Sequence, residues 1–365
     1  MNKRSRDLNG WLKEEISHLT RLNPSDRRWP MPFAAALSSG LPLLVGAGFG
    51  HIEYGLISSL GGLVFLYLPE TAMYHRMLTL MACVFAMIAS YTLGVFSHLF
   101  PPAMVPAMLV TAILVTMVCR YYNMGPPGSF FFVMAASIGT FTPGDILDVP
   151  LKVGLLTLGS MLASVVAFAY SLFSLSRQAP KPIPERPQPT FDFVVFDSVV
   201  VGSFVGLSLA IAQLLQLDQP YWVPISCIAV IQGMSLRAVW TKQMHRIVGT
   251  AGGLLLAWLL LSLPLDPWRL SGILILLAFI IEMLVVRHYA LAALFFTPLT
   301  LLLVEANGLG QAPVSHLIQA RFIDTVIGSV VGLLGGACLH SPAFRQKLSP
   351  LLRRLLPPRL ITQQP

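Results

Sequence analysis

Apolar residues along this chain form long continuous runs, separated by short polar segments and single charged residues. The runs do not alternate between apolar and polar positions, so they do not fit the strands of a membrane β-barrel. Most could cross a hydrocarbon core of about 30 Å, where a helix satisfies its own backbone hydrogen bonds. The pattern predicts an all-α, polytopic membrane protein with about 12 transmembrane helices. The predicted spans cover residues 30–50, 54–69, 77–99, 101–119, 128–143, 150–175, 194–215, 221–236, 245–264, 270–286, 289–305 and 321–340.

A proline-rich stretch divides the spans into two sets of six, and the two sets resemble each other. His75-Arg76 and His245-Arg246 each enter the third span, and Gly159-Ser160 and Gly328-Ser329 each lie in the sixth. An even number of spans orients both sets alike, which predicts two parallel repeats about a pseudo-two-fold axis along the membrane normal. The expected organisation is a cytoplasmic amphipathic N-terminal segment (1–29), a first six-helix repeat (30–176), a proline-rich cytoplasmic linker (177–191), a second six-helix repeat (192–341) and a basic cytoplasmic tail (342–365).

Composition and charge support the membrane interpretation. The chain is 55% hydrophobic and 11% charged, whereas soluble domains carry about 25% charged residues. The net charge of +8 suggests a nucleic-acid partner at first. However, all lysines and arginines except Lys152, Arg269 and Arg321 fall in tails and loops on one predicted side. This distribution follows the positive-inside rule, so we expect no nucleic-acid partner, an inner-membrane location and cytoplasmic termini.

Both ends of the chain are polar and amphipathic. The first 28 residues lack the apolar centre of a signal peptide, and their leucines recur at helical spacing. They predict a helix on the cytoplasmic membrane surface, with a soluble docking helix as the alternative. The C-terminal tail is basic, and we expect anionic lipid to hold it at the inner headgroup region.

The second and fifth spans of each half are short or interrupted by glycine or proline. Residues 54–69 and 221–236 would reach only about 24 Å as helices, less than the thickness of the hydrocarbon core. Short or broken spans at matching positions of two repeats indicate a transport site. We therefore expect the second, third and fifth spans to line a pathway. The alternative is that the short helices are half-buried beneath their neighbours.

The stretch from Tyr221 to Gly253 carries most of the candidate pathway residues. Arginine suits the binding of an anion, as does a helix N-terminus, and small residues let a neighbouring helix or a ligand approach the backbone. Positive-inside anchoring and glycine packing are the structural alternative. The candidate pathway residues are Tyr221, Trp222, Gln232, Arg246, Gly249, Thr250, Gly253 and the first-half counterpart Arg76.

Three further charged residues are candidates for ion pairs. Arg321 and Asp324 are one helical turn apart, which predicts a local ion pair. Glu282 could be satisfied by Arg287 at the inner surface. His245, beside Arg246, could titrate near neutral pH.

No enzyme motif is present in the sequence. It has no Walker loop, HExxH, paired CxxC or GxSxG motif, and its four cysteines stand singly within apolar runs. We therefore expect neither an enzyme nor a bound metal or cofactor.

The chain resembles the fusaric acid resistance (FUSC) proteins, which include bacterial aromatic-acid exporters and are related to plant aluminium-activated malate transporters. The resemblance rests on the motif within 221–253: Tyr221-Trp222, Gln232, Thr241, Arg246, Gly249-Thr250 and Gly253. Two features depart from the family. Larger members have a soluble cytoplasmic region, and the first half here has Thr79, Leu80 and Cys83 at the positions of the motif's glycines and threonine.

The resemblance implies an inner-membrane transporter that exports small organic anions, with aromatic carboxylic acids among its substrates. A passive organic-anion channel and a non-transporting membrane scaffold subunit are the alternatives. Expected partners are the anion and membrane lipid, with a homo-oligomer or envelope partner proteins left open.

Overall fold

The computed structural model describes residues 22–24, 27–183, 190–308 and 314–355. Regular structure in these residues is entirely helical, and a π turn at Asp192–Phe196 leads into the seventh helix. The predicted N-terminal segment (1–29) lies largely outside the described residues, and so do residues 184–189 of the predicted linker (177–191). The helices are α1 (Pro30–Gly48), α2 (Ile52–Gly62), α3 (Met73–His98), α4 (Met104–Tyr121), α5 (Phe130–Thr140), α6 (Val149–Leu175), α7 (Asp197–Leu214), α8 (Trp222–Ile231), α9 (Leu236–Leu261), α10 (Pro267–Leu284), α11 (Tyr289–Gly308), α12 (Val314–His340) and α13 (Pro342–Leu355).

Eight helices in the described chain are long and apolar enough to cross a membrane: α1, α3, α4, α6, α7, α9, α10 and α12. The other predicted spans, the second and fifth of each half, are the shorter apolar helices α2, α5, α8 and α11. The chain is therefore a polytopic helical membrane protein, and the sequence correctly marked these four spans as the short ones.

The short helices lie inside the bundle. Every residue of α8 is buried, and so are most residues of α5. A helix that is apolar on all sides needs an apolar surrounding on all sides, which neighbouring helices provide here. A short helix can remain at membrane depth because its polar ends are covered by protein instead of lipid.

Two helix boundaries differ substantially from the sequence prediction. Helix α9 begins at Leu236 instead of residue 245, and α12 begins at Val314 instead of residue 321. The side chain of Ser235 caps α9 by accepting a hydrogen bond from the backbone N–H of Ala238 at 3.2 Å. The sequence prediction left residues 237–244 between two spans because several of them are polar. In the structure these residues belong to one continuous helix.

The two halves contact each other reciprocally. Helix α4 packs against α7, the first helix of the second half, and α10 packs against α1, the first helix of the first half. Glycines bring both pairs close. A Cβ added at Gly202 would lie 2.3 Å from Ile113, and one added at Gly40 would lie 2.3 Å from Ile275. The fourth helix of each half thus packs on the first helix of the other half, next to a glycine of that first helix.

The sixth helix of each half packs on the second helix of that half through a matching glycine. A Cβ at Gly159 of α6 would lie 1.8 Å from the carbonyl oxygen of Ser58 on α2. A Cβ at Gly328 of α12 would lie 2.3 Å from the carbonyl oxygen of Val223 on α8. These two contacts leave no room for a side chain, so the helix backbones touch.

Helix α13 is docked on the bundle. Its apolar residues Phe344 and Leu348 pack against the cluster formed by α4, α7 and α8. Two of its arginines are paired with carboxylates at the start of the second half, Arg345 with Asp197 and Arg353 with Asp192. Basic residues that we expected to bind anionic lipid are thus bound in part by the protein itself.

Candidate functional site

A large cavity of about 1670 Å³ lies between the two halves of the bundle. Its walls come from the short helices α2, α5, α8 and α11 together with α1, α4, α6, α9, α10 and α12. Seven arginine or lysine residues and three carboxylate residues line it among the described residues. Most of the surface is nevertheless apolar and aromatic. The cavity thus combines an apolar wall with excess positive charge.

Helix α9 presents the densest positive face to this cavity. Lys242, His245 and Arg246 line it together, because residues three or four apart lie on the same side of a helix. The ring of His245 lies 4.6 Å from the ring of His288, which immediately precedes α11. Lys242, which the sequence prediction left between two spans, therefore shares a helix face with His245 and Arg246.

Arg246 is 7% exposed and is held by two neutral groups. Its Nη1 donates to the hydroxyl of Tyr289 at 3.0 Å, and its Nη2 donates to Oγ of Ser226 at 3.1 Å. Its Nε is buried without a hydrogen-bond partner. Neutral partners orient the guanidinium but leave its charge uncompensated.

Arg321 lies beside Arg246, close enough for the two charges to repel each other. Its guanidinium carbon lies 3.7 Å from the centroid of the Trp222 ring, an arrangement typical of a cation–π contact. The predicted ion pair between Arg321 and Asp324 stays a prediction. The two charges are close enough to attract each other, but they share no hydrogen bond. Both oxygens of Asp324, and Nε and Nη1 of Arg321, are buried without hydrogen-bond partners.

Several buried donors on α8, α9 and α12 have no hydrogen-bond partner. They are Nε of Arg246, Nε and Nη1 of Arg321 and Nε1 of Trp222. A buried donor without a partner costs about 1 to 3 kcal/mol, and more when it is charged. A ligand with anionic oxygens would satisfy such donors, so the geometry favours anion binding at this position. We call Trp222, Ser226, Arg246, Tyr289 and Arg321 the two-arginine site.

The position of Arg246 along its helix corrects the sequence interpretation. Arg246 follows Leu236 by ten residues, or about 15 Å along the axis. It therefore does not lie at a helix N-terminus, and the argument for anion binding by that terminus is wrong. Arg321 likewise lies inside its helix, because α12 begins at Val314 instead of residue 321, and its charge is close to that of Arg246.

The family match covers this site. Residues 207–335 match the family described as fusaric acid resistance protein-like. The match covers less than half of the chain, and these residues are similar to that family. The resemblance seen in the sequence is thereby confirmed, and we call residues 207–335 the FUSC-like domain. It holds both arginines of the site and the whole of α8, α9, α10 and α11.

A bacterial membrane protein shares part of this chain. The chain is 32% identical over 136 residues to "Uncharacterized membrane protein YvaC" of Bacillus subtilis (strain 168). The aligned region is 37% of this chain and 21% of that protein, so the chain matches about a fifth of the relative's length. No solved structure matches the chain.

Aromatic residues of the FUSC-like domain form the wall next to the arginines. Tyr221 and Trp222 both line the cavity, with ring centroids 5.1 Å apart, and Phe141 lies 6.1 Å from Tyr221. The backbone carbonyl of Tyr221 accepts a hydrogen bond from Ser137 at 2.8 Å. This bond ties the start of α8 to α5 of the first half.

Gln232 also lines the cavity, where it joins the two halves. Its Nε2 donates to Oγ of Ser129 at 2.8 Å, and that oxygen also accepts from Thr116 at 3.0 Å. Gln232 ends α8, and Ser129 precedes α5. The amide of Gln232 thus connects the C-terminal end of α8 with the N-terminal end of α5.

The other predicted pathway residues do not line the cavity. Gly249 and Gly253 pack against α11, where an added Cβ would lie 2.5 Å from the carbonyl oxygens of Ala290 and Leu294. Thr250 is buried beside them, and Arg76 donates from Nε to the carbonyl of Thr71 at 2.7 Å. The glycines of the motif thus serve helix packing, which was the structural alternative. Arg76 stabilises the start of α3 instead of facing Arg246.

Glu282, the remaining acidic candidate, and Asp197, which was not among the predicted site residues, are both paired with arginines far away in the chain. Glu282 lines the cavity and accepts from Nη1 of Arg27 at 3.2 Å, instead of pairing with Arg287. Asp197 accepts from Nη1 of Arg120 at 2.7 Å and from Arg345. Both carboxylates are paired across long sequence separations, which sequence spacing could not indicate.

Sequence reasoning missed several residues of the site: Ser226, Lys242, His288 and Tyr289, together with Arg120. One signal was available. Polar positions 237, 241, 242 and 245 recur every three or four residues, as on one face of a helix. No comparable pattern marks Ser226, which is a small residue within an apolar run. Within the described residues, no group of three or more His, Cys, Asp or Glu side chains could hold a metal ion.

The contact between Arg321 and Trp222 leads to a stability prediction. Replacing Trp222 with leucine should lower the melting temperature of the purified protein more than replacing it with phenylalanine. Phenylalanine keeps an aromatic face for the guanidinium, and such contacts are worth about 0.5 to 2 kcal/mol. Equal losses in the two variants, measured by thermal unfolding in detergent, would contradict this role of the ring.

Proposed function

We propose that this protein is a membrane transporter that moves small organic anions, including aromatic carboxylic acids, through the central cavity. The observation that carries the proposal is the two-arginine site. Its two guanidinium groups are buried, are close enough to repel each other and contact neutral side chains, while Asp324 attracts Arg321 without a hydrogen bond to it. A carboxylate would satisfy the open donors and relieve the repulsion between the two cations. The family match makes a transport role the natural context for this chemistry.

The path of the anion follows from the charges around the cavity. Lys242 and the surrounding cations draw an anion in, and Arg246 and Arg321 bind its carboxylate. Tyr221 and Trp222 provide a flat apolar surface for the rest of the molecule. An inside-negative potential favours exit of an anion by about 2.3 kcal/mol per charge for each 100 mV. Export therefore needs no further energy source in this proposal.

The proposed architecture is a pair of parallel six-helix repeats in the inner membrane, with both termini in the cytoplasm. The reciprocal packing of α4 on α7 and of α10 on α1 supports the repeat. The matching glycines of α6 and α12 support it further. A pseudo-two-fold axis between such halves would pass close to the cavity, where a pathway is needed.

Transport by purified protein in liposomes tests the proposal. Proteoliposomes are loaded with labelled 4-hydroxybenzoate, and a potassium gradient with valinomycin sets the potential. We expect efflux that exceeds efflux from protein-free liposomes, increases when the interior is made negative and is inhibited by unlabelled benzoate. Efflux equal to that of protein-free liposomes would contradict the transport function.

The same preparation separates a carrier from a passive channel. A carrier should show saturable flux and faster exchange when unlabelled anion is present on the far side. A channel should show single-channel currents in planar bilayers that are proportional to voltage. A protein that gives neither, yet co-purifies in fixed proportion with an envelope complex, would instead be the scaffold subunit.

A further inference from the structure

A cluster of three charges connects the C-terminal helix α13 to the cavity wall. The carboxylate of Asp197, at the start of α7, is shared between two arginines. One oxygen accepts from Nη1 of Arg120 at 2.7 Å, and the other accepts from Nη2 of Arg345 at 2.5 Å. Arg120 is on α4 and lines the cavity, whereas Arg345 is on α13 and does not.

Both arginines are held in place by additional contacts. The guanidinium carbon of Arg120 lies 4.8 Å from the ring centroid of Phe193, which also lines the cavity. Nε of Arg345 donates to the carbonyl of Leu339 at 2.8 Å, and its guanidinium lies over Phe196. The π turn that carries Phe193 and Phe196 thus separates the cavity from α13. Each arginine approaches Asp197 from one side of that turn.

The formal charges of these three residues determine the net charge of this part of the cavity wall. With Arg345 in place, two cations share one carboxylate, and the cluster keeps a net charge of +1. Without Arg345, Arg120 and Asp197 would form a neutral pair, and the wall would lose its net positive charge. A partly buried charge is screened much less than one in solvent, so an anion in the cavity would be affected by this difference.

We propose that Arg345 is a positioning residue for anion binding. By providing Asp197 with a second cation, it keeps the charge of Arg120 available to the cavity. Arg345 itself touches neither the cavity nor an anion. This inference rests on the proposed function in that it concerns the same cavity and the same class of ligand, but it can fail separately.

The test measures the affinity of the purified full-length protein for labelled 4-hydroxybenzoate by equilibrium dialysis. We expect Arg345→Gln to raise the dissociation constant about fivefold or more, the low end of typical coupling between sites. Arg345→Lys should stay close to wild type, because it keeps the charge. Arg353→Gln is the matched control: it is the same substitution on the same helix, but Arg353 pairs with Asp192 and not with Asp197.

A double variant separates the effect of charge from a merely structural effect. Asp197→Asn together with Arg345→Gln removes one negative and one positive charge, so Arg120 again contributes a net +1. We expect its affinity to return most of the way to the wild-type value. A structural role would make the double variant bind no better than Arg345→Gln alone. That result, or an unchanged affinity in Arg345→Gln, would overturn the proposal.

Failure of the proposed function gives a different result. If wild-type protein binds the anion with the expected variant pattern but does not move it across liposomes, only the transport function is wrong. If wild type transports the anion and Arg345→Gln binds it normally, only the role of Arg345 is wrong. If wild type does not bind the anion at all, both are wrong.

Discussion

Replacing Arg246 with glutamine is expected to lower the rate of 4-hydroxybenzoate efflux by at least about thirtyfold at low substrate concentration. Truncating one partner of a buried, hydrogen-bonded charge contact costs about 2 to 5 kcal/mol, and 2 kcal/mol corresponds to about thirtyfold. Arg246 meets the conditions for this cost, because it is 7% exposed and its neutral partners leave its charge for the ligand. Initial rates in proteoliposomes measure the effect.

Two comparisons make this prediction specific to the cavity. Arg177→Gln removes an exposed arginine that lies outside the cavity and stacks on Phe173, so its efflux should equal that of wild type. Arg246→Lys should recover only part of the rate, because an ammonium group cannot reproduce the planar set of donors. Wild-type efflux from Arg246→Gln protein that elutes as a normal peak in size-exclusion chromatography would exclude the role given to Arg246.

Replacing Gly159 with alanine is expected to lower the melting temperature of the purified protein by about 1 to 4 °C. The added methyl group would lie 1.8 Å from the carbonyl oxygen of Ser58, so α2 and α6 must move apart. Forcing extra atoms into a packed contact costs about 1 to 3 kcal/mol, and a longer chain shifts less in melting temperature for the same cost. The contact involves backbone, so no flexible side chain can rotate to make room.

Gly154→Ala in the same helix is the matched control. A Cβ at Gly154 meets nothing within 4 Å, and alanine favours a helix over glycine by up to about 1 kcal/mol. Its melting temperature should therefore equal or exceed that of wild type. If both variants unfold at the same temperature in the same detergent, the close approach of α2 and α6 does not contribute to stability.

The sequence by itself identified the class of protein and the position of its short helices. Continuous apolar runs require helices in lipid, because only a helix satisfies its backbone there without a neighbour. The length of a run is a local property, so the brevity of 54–69 and 221–236 was evident before any contact was known. The motif between Tyr221 and Gly253 likewise indicated the family, because its residues are close together in the chain.

Helix boundaries were less predictable, and one boundary changed the interpretation of the site. Arg237, Thr241 and Lys242 are polar, which is typical of a loop, but in the structure they belong to α9 and line the cavity. Hydropathy alone cannot distinguish a polar loop from a helix with one polar face. The earlier start of α9 moved Arg246 from an expected helix end to a position well along the helix.

The sequence did not reveal which residues meet. Arg246 and Arg321 are adjacent because α9 and α12 both pack beside α8, whose Trp222 and Ser226 contact one arginine each. Asp197 is paired with Arg120 and Arg345, and Glu282 with Arg27, across separations that no local pattern marks. The chain thus determined its helices locally, through hydrophobicity and backbone hydrogen bonding. Only tertiary packing decided which charges are buried together, because that depends on which helices become neighbours.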